Sequence, residues 1–152
     1  MLIALEGCDG SGKTTLAKQL ATLLNADIIH CSTHTPNDFS FFRDLLEQAE
    51  HRHIIADRWC YGQFVYQEED DRPLGDSNYY AEDRLRTLEN IMLKKGAKVI
   101  FVTAPDEVIK KRLGARAETP INGLTVEEIQ ERFRTVKSQS LLNWLEYNTG
   151  GF

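Results

Sequence analysis

The residues with the clearest chemical meaning form a glycine-rich segment near the beginning of the sequence. Residues 7–14 read GCDGSGKT and satisfy the pattern GxxxxGK[ST] in full. Glycines let the backbone fold so tightly that successive N–H groups point at phosphate oxygens, and a following helix adds its positive N-terminal end. In such a loop Lys13 would reach the β- and γ-phosphates, and the hydroxyl of Thr14 would bind Mg²⁺. The segment therefore predicts binding of a nucleoside triphosphate.

A second candidate group is an acidic residue followed directly by an arginine. Proteins with a loop of this kind place another acid near Mg²⁺, usually at the end of a neighbouring apolar strand. Asp57 follows the apolar residues 54–56, whereas the apolar segment 98–103 ends without an acid. The planar guanidinium of Arg58 can bind a phosphate at two points. We therefore expect Asp57 near the metal and Arg58 near a phosphate.

These residues need a scaffold to position them, and the hydrophobic pattern predicts one in which strands alternate with helices. Predicted strands cover 2–5, 26–31, 53–56, 98–103 and, more briefly, 144–147. Predicted helices follow the glycine loop, cover 39–49 and 80–95, and begin again near Pro105 and near Thr125, where Glu128 completes a capping box. This alternation implies a parallel sheet covered on both faces. We predict one α/β domain over residues 1–152, a three-layer P-loop NTPase fold with about four to five strands.

Composition excludes several classes of protein. The 152 residues include 18 basic and 23 acidic ones, and the net charge of −5 has the wrong sign for a nucleic-acid partner. A hydrophobic content of 41% excludes a disordered chain, and no apolar run reaches the ~18 residues of a membrane span. The first residues do not resemble a secretion signal, and three scattered cysteines fit free thiols in a reducing compartment. We expect a cytoplasmic protein without nucleic-acid or membrane partners.

Two blocks of the sequence are similar to the thymidylate kinase family. Residues 5–16, LEGCDGSGKTTL, resemble that family's E-G-x-[DE]-G-x-G-K-[ST]-T. Residues 57–67, DRWCYGQFVYQ, resemble its D-R-[YH]-x-x-S-x-x-A-Y-Q without a gap. Weaker similarity at 103–116 and 131–136 corresponds to the helix and lid of the family and to the helix after the lid. The chain is thus identified as a member of the P-loop deoxynucleoside monophosphate kinases, with a short lid at about 113–124.

The resemblance implies transfer of the γ-phosphoryl group of ATP to the 5′-phosphate of a deoxynucleoside monophosphate, dTMP or another, with Mg²⁺ as cofactor. The implied catalytic residues are Lys13, Asp57, Arg58 and Arg116. Arg116 is assigned from the lid because Ser11 stands where some relatives carry an arginine. Thr14 and Asp57 are the implied metal ligands. The implied ATP-binding residues are Gly7, Gly10, Ser11, Gly12, Lys13, Thr14, Thr15 and Arg112.

The same resemblance implies how the acceptor nucleotide is bound. Asp9 matches a loop carboxylate near the 3′-hydroxyl of the sugar, and Arg58 matches the arginine that binds the acceptor phosphate. Tyr66, followed by Gln67, matches an aromatic position that stands where a 2′-hydroxyl would be and so favours deoxyribose. The implied partners are small-molecule nucleotides, and the sequence leaves the oligomeric state open, a homodimer included.

The sequence departs from the family where the nucleobase is chosen. The family's R-E-P-G-G segment is absent after residues 28–30, and the stretch between Cys31 and Asp57 is too short for the helix that carries its base-stacking aromatic. Phe41, Phe42 and Arg43 are the candidate substitutes, although the phenylalanines here also have the spacing of core residues. The sequence also ends without a closing helix after residues 144–147. A reduced enzyme of the kind that small viral genomes carry, working in the host cytoplasm, would account for these differences.

Two other functions are compatible with the same residues. A deoxynucleoside kinase would phosphorylate a 5′-hydroxyl and use Asp57 as the base. A nucleotide-dependent regulatory module would have lost catalysis together with the absent segment, although the intact Lys13, Thr14, Asp57 and Arg58 count against it. A zinc site is not expected, because the histidines fit no metal-ligand spacing.

Overall fold

The computed structural model describes residues 1–31, 39–66, 76–115 and 123–150. The strands are β1 (Leu2–Glu6), β2 (Asp27–His30), β3 (Ile54–Asp57), β4 (Lys98–Thr103) and β5 (Leu145–Asn148). The helices are α1 (Lys13–Leu24), α2 (Phe39–Gln48), α3 (Gly62–Tyr66), α4 (Asp76–Lys95), α5 (Asp106–Leu113) and α6 (Val126–Gln139). The predicted alternation of strands and helices is therefore confirmed in chain order.

The strands form one parallel sheet in the order β2-β3-β1-β4-β5. β1 lies at its centre and is buried along its whole length. Successive side chains of β1 point to opposite faces, as a strand requires. Leu2 and Ala4 join the core formed with α2, α4 and α6, whereas Ile3 and Leu5 join the core formed with α1. The sheet is thus covered on both sides, which confirms the three-layer α/β fold.

The local signals for element ends are confirmed in part. Thr125 caps α6: its hydroxyl accepts a hydrogen bond from the Glu128 N–H at 3.2 Å and donates one to the Glu128 carboxylate at 3.1 Å. The short helix α3 was not predicted, because five residues are too few for a helical period. Among the described residues, no helix combines the length and the apolar character needed to cross a membrane.

Candidate phosphoryl-transfer site

The parallel sheet brings the two candidate groups to one edge. β1 and β3 are neighbours, and Leu5 is in register with Asp57. The residues that follow both strands therefore leave the sheet side by side, at the carboxyl edge where ligands of such folds bind. The glycine loop leaves from β1, and Arg58 and α3 follow β3. The contiguous motifs of the sequence are thus parts of one site.

The backbone of the glycine loop is packed tightly against β4. Gly7 has a φ of +153°, and a Cβ atom added there would lie 2.2 Å from the carbonyl oxygen of Val102. Only glycine fits at this point. The loop then leads directly into α1, so the helix N-terminus faces the same edge of the sheet.

Lys13 is buried inside the loop. Its ammonium group donates hydrogen bonds to the carbonyl oxygens of Gly7 at 2.7 Å and Cys8 at 3.2 Å. Burial lowers the pKa of Lys13, and the carboxylate of Asp9 opposes that effect. A cation held among backbone dipoles in this way is suited to bind phosphate oxygens. Ser11 is fully buried nearby, whereas Thr15 is exposed on the first turn of α1.

Thr14 and Asp57 lie close enough to share a metal ion. The Thr14 hydroxyl donates to Asp57 Oδ2 at 3.1 Å, and Asp57 itself is buried. His30 contacts the same carboxylate oxygen at 3.1 Å, because β2 and β3 pair with His30 opposite Asp57. A hydroxyl and a carboxylate are the hard oxygen ligands that Mg²⁺ prefers, so this pair fits the expected ion.

Arg58 is held in an unusual backbone conformation beside the loop. Its φ is +74°, a left-handed value that costs energy in a residue other than glycine. Its guanidinium donates a hydrogen bond to Asp9 Oδ1 at 2.5 Å, and both side chains are about one-third exposed. The strained backbone therefore turns a cation towards the glycine loop, where it can bind a second anionic group.

Glu6 is a site residue for which the sequence predicted no role. Its carboxylate is buried at the end of β1 and accepts the Trp59 N–H at 3.1 Å through Oε1, while Oε2 has no partner among the described residues. Burial raises the pKa of Glu6 to about 8, and the nearby Trp59 N–H and Lys13 only partly oppose that rise. The available signal was a charged residue at the end of an apolar strand.

Tyr66 is the last residue of α3, the short helix that follows Arg58 in the chain. Its hydroxyl is buried and has no partner among the described residues, and the ring packs edge-on against Phe133 with centroids 6.0 Å apart. Burial raises the pKa of Tyr66, and Cys8 and Asp9 add to the rise. The indole N–H of Trp59 is also buried without a partner in the described part of the chain. Buried polar atoms of this kind are suited to bind polar groups of a ligand.

Arg112 reaches the glycine loop from α5. It donates to the carbonyl oxygens of Gly10 at 3.1 Å and Ser11 at 3.3 Å, and to the hydroxyl of Thr149 at 2.8 Å. Thr149 follows β5 and was not singled out in the sequence, where no motif marks it. The structure therefore places Arg112 on the backbone of the loop.

Of the residues expected to recognise the base, Phe42 is buried and Arg43 is exposed. Phe42 is only 3% exposed and packs edge-on against Trp59 at 4.8 Å, so it is a core residue and presents no open stacking surface. Arg43 is exposed, and its Nε lies 3.6 Å from the Glu47 carboxylate one helical turn along. Gln67 and Arg116 lie outside the described residues, as does most of the predicted lid. The roles of Gln67 and Arg116 stay predictions.

The histidines and cysteines form no metal centre in the described part of the chain. No group of three His, Cys, Asp or Glu side chains among those residues is close enough to hold an ion. The three cysteines are buried free thiols, and burial raises their pKa values.

Comparison with known proteins identifies a relative over nearly the full chain. YorR, an uncharacterised protein from the SPbeta prophage of Bacillus subtilis, is 32% identical over 152 residues, covering 98% of this chain and 89% of its own. The crystal structure of YorR, solved in complex with phosphorylated GDP, superposes with a TM-score of 0.77 over 98% of this chain and 86% of that one. No protein-family model matches the chain.

More distant similarity connects the chain with thymidylate and deoxyadenosine kinases. A probable thymidylate kinase from Thermoplasma volcanium is 25% identical over 170 residues, covering 97% of this chain and 86% of its own. Thymidylate kinase from Candida albicans superposes with a TM-score of 0.60 at 19% identity, over 99% of this chain and 84% of that one. Deoxyadenosine kinase from M. mycoides, with bound dATP, superposes with a TM-score of 0.57 at 16% identity, over 99% of this chain and 91% of that one. These structures share the fold.

The fold and the glycine loop define the class of the protein: it has the P-loop fold of the nucleotide and nucleoside kinases. Within that class the chain belongs to the same family as YorR. The resemblance to thymidylate kinases expected from the sequence is thereby confirmed.

Proposed function

We propose that this protein transfers the γ-phosphoryl group of ATP to the 5′-phosphate of a deoxynucleoside monophosphate. The observation that carries the proposal is the pair of cations on one edge of the sheet. Lys13 lies within the glycine loop, and Arg58 lies beside that loop in ion-pair contact with Asp9. One cation would bind the phosphates of the donor, and the other the phosphate of the acceptor.

Alignment and charge are the main requirements of the reaction. An oxygen of the acceptor phosphate attacks the γ-phosphorus, a new P–O bond forms, and the bond from the γ-phosphorus to the β–γ bridging oxygen breaks to release ADP. The acceptor oxygen is already anionic, so no strong base is required. Lys13 and Arg58 would hold the two anions in line and offset their repulsion.

Thr14 and Asp57 would hold Mg²⁺, and their contact at 3.1 Å supports that assignment. When bound, the ion would neutralise charge on the β- and γ-phosphates. His30, which shares the Asp57 oxygen, would help to orient the carboxylate. In the predicted lid, Arg116 remains the candidate residue to stabilise the negative charge that develops during transfer.

Unpartnered polar atoms support an acceptor site next to Arg58. The buried Tyr66 hydroxyl lies on α3, the helix that follows Arg58 in the chain, and we place it at the sugar of a nucleotide held through Arg58. We assign Asp9 to the 3′-hydroxyl and Tyr66 to selection of deoxyribose. Gln67 and Arg43 remain candidates for contact with the acceptor.

The base of each nucleotide is a separate question. YorR was solved with a phosphorylated guanine nucleotide. GTP therefore belongs in the donor panel beside ATP, and dGMP in the acceptor panel beside dTMP.

A second candidate, a deoxynucleoside kinase, is favoured by Glu6. A 5′-hydroxyl must lose its proton as it attacks, and Glu6 Oε2 is a buried carboxyl oxygen with no partner among the described residues. Burial raises the pKa of Glu6 to about 8, so Glu6 would accept that proton in its deprotonated form, which becomes populated as the pH approaches this value. The sequence suggested Asp57 for this role, but its Oδ2 is engaged by Thr14 and His30. In this alternative Glu6 replaces Asp57 as the base.

An acceptor panel separates the candidates. Coupled release of ADP or GDP is measured with each deoxynucleoside monophosphate and each unphosphorylated deoxynucleoside. We expect turnover with at least one monophosphate. Turnover with nucleosides alone would establish the second candidate, and triphosphate binding without turnover on any acceptor would indicate the regulatory module.

A further inference from the structure

The peptide groups of the glycine loop are held from outside by two residues that lie far along the chain. Arg112 donates to the carbonyl oxygens of Gly10 at 3.1 Å and Ser11 at 3.3 Å. The Thr149 hydroxyl donates to the Ser11 carbonyl at 2.5 Å. Arg112 also donates to the hydroxyl of Thr149 at 2.8 Å and to its carbonyl at 3.2 Å. We call Arg112 and Thr149 the loop clamp.

The loop clamp is itself fixed to the sheet. The Thr149 N–H donates to the Thr103 carbonyl at 2.9 Å, which continues the pairing of β5 with β4. Thr149 also packs closely on the loop, since a Cβ atom added to Gly12 would lie 3.1 Å from Thr149 Cγ2. The position of the loop is therefore set by β4 and β5 as well as by β1.

Holding these carbonyl groups also orients N–H groups. In a planar trans peptide the C=O of one residue and the N–H of the next point in opposite directions. Because the Ser11 carbonyl points to the loop clamp, the Gly12 N–H points to the other side of the loop. The Ser11 N–H, on the peptide of the Gly10 carbonyl, donates to the Cys8 carbonyl at 3.1 Å and closes the turn. The clamp thereby fixes the direction of a donor that a phosphate would use.

We propose that Arg112 and Thr149 are positioning residues that keep the glycine loop in its phosphate-binding conformation. Arg112 and Thr149 then strengthen binding of the donor through its triphosphate group and not through its base. This refines the expectation that Arg112 binds ATP, because the contacts described above are with the loop backbone and with Thr149. The inference rests on the proposed function only in that the loop binds a nucleoside triphosphate.

Thr149→Val tests the proposal, because it keeps the shape of the side chain and removes the hydroxyl. Binding of ATP and of inorganic tripolyphosphate, each with Mg²⁺ and without acceptor, is measured by calorimetry. We expect both dissociation constants to rise by the same factor, about 3- to 10-fold, as the loss of one or two hydrogen bonds implies. Thr149→Ser should restore both values.

Thr135→Val is the matched control, because among the described residues the Thr135 hydroxyl donates within its own helix, to the Glu131 carbonyl at 3.1 Å. It should leave both dissociation constants unchanged. If Thr149→Val fails to fold, Arg112→Lys replaces it. Lysine keeps the positive charge but cannot reproduce the forked contacts, so a positioning role again gives an equal loss for both probes.

Three results would overturn the proposal. Weaker binding of ATP alone would mean that the clamp contacts the base. Unchanged binding of both probes would mean that the loop keeps its conformation unaided, and wild-type protein that binds ATP but not tripolyphosphate would mean that binding does not centre on the phosphates. Since no acceptor is present, a wrong assignment of the acceptor leaves the test valid.

Discussion

The donor side and the acceptor side of the site differ in how completely their polar groups are paired. On the donor side Lys13, Thr14 and Asp57 all have partners within the protein, and among the described residues of the glycine loop the buried Ser11 hydroxyl lacks one. On the acceptor side the described residues leave Glu6 Oε2 and the Tyr66 hydroxyl buried without partners. An unpaired buried group of this kind costs about 1–3 kcal/mol.

That difference indicates which half has its binding conformation already formed. The donor loop is held by β1, β4 and the loop clamp, so a triphosphate would meet a fixed surface. The acceptor half would gain most of its polar contacts when a ligand arrives. Substrate choice is therefore expected to depend on the acceptor half, and general phosphoryl-transfer chemistry on the donor half.

Lys13→Ala is expected to have the largest effect. Losing a buried cation from the donor loop should lower kcat/KM by at least about 10²-fold, in the coupled assay with the best acceptor. Lys18→Ala, an exposed lysine on the same helix, is the control and should behave like wild type. A near-normal rate for Lys13→Ala would show that Lys13 does not bind the phosphates of the donor.

Arg58→Ala should lower kcat/KM by about 10²-fold, but through the acceptor. The acceptor KM should rise while ATP binding, measured by calorimetry, stays the same. Arg52→Ala, which breaks a surface ion pair with Asp27, is the control and should change little. If Arg58→Ala weakened ATP binding as much as it raised the acceptor KM, the donor and acceptor sides of the site would not be separable.

Glu6→Gln should change how stability depends on pH. Native Glu6 keeps its proton to about pH 8, whereas in the unfolded chain it loses the proton near its ordinary pKa of 4.5. Between these two pH values the native state therefore binds more protons than the unfolded chain. As the pH rises, the free energy of unfolding of the wild type should fall relative to that of Glu6→Gln, by up to about 1.4 kcal/mol per pH unit. Denaturant unfolding from pH 5 to 8 measures this, and parallel curves for the two proteins would contradict the buried, protonated state.

Tyr66→Phe should have the smallest effect. Removing the hydroxyl makes room for a 2′-hydroxyl, so the preference for the deoxy- over the ribonucleotide should fall by about 3- to 10-fold in kcat/KM. Removing an unpaired buried group should also raise the free energy of unfolding by about 1 kcal/mol. An unchanged sugar preference would assign Tyr66 to packing against Phe133 alone.

The sequence predicted the parts of this molecule whose signals are contiguous. The glycine loop, the Asp57-Arg58 pair and the longer strands are each readable from a few neighbouring residues. The partners of Asp57 and the loop are not, because His30 reaches Asp57 through the register of β2 with β3 and Thr149 reaches Ser11 through the pairing of β4 with β5. Phe42 has the composition of a stacking residue, and only its packing against Trp59 shows it to be core.

The contact between Gly7 and Val102 separates two ways in which a substitution can fail. Any side chain at position 7 would collide with the backbone of β4, so the damage would occur during folding and reduce the amount of protein in the cell. Substitutions at Arg58 need not do so, since that residue is partly exposed at the edge of the sheet. In a mutational scan scored for both abundance and activity, position 7 would be depleted in both scores and position 58 in activity alone.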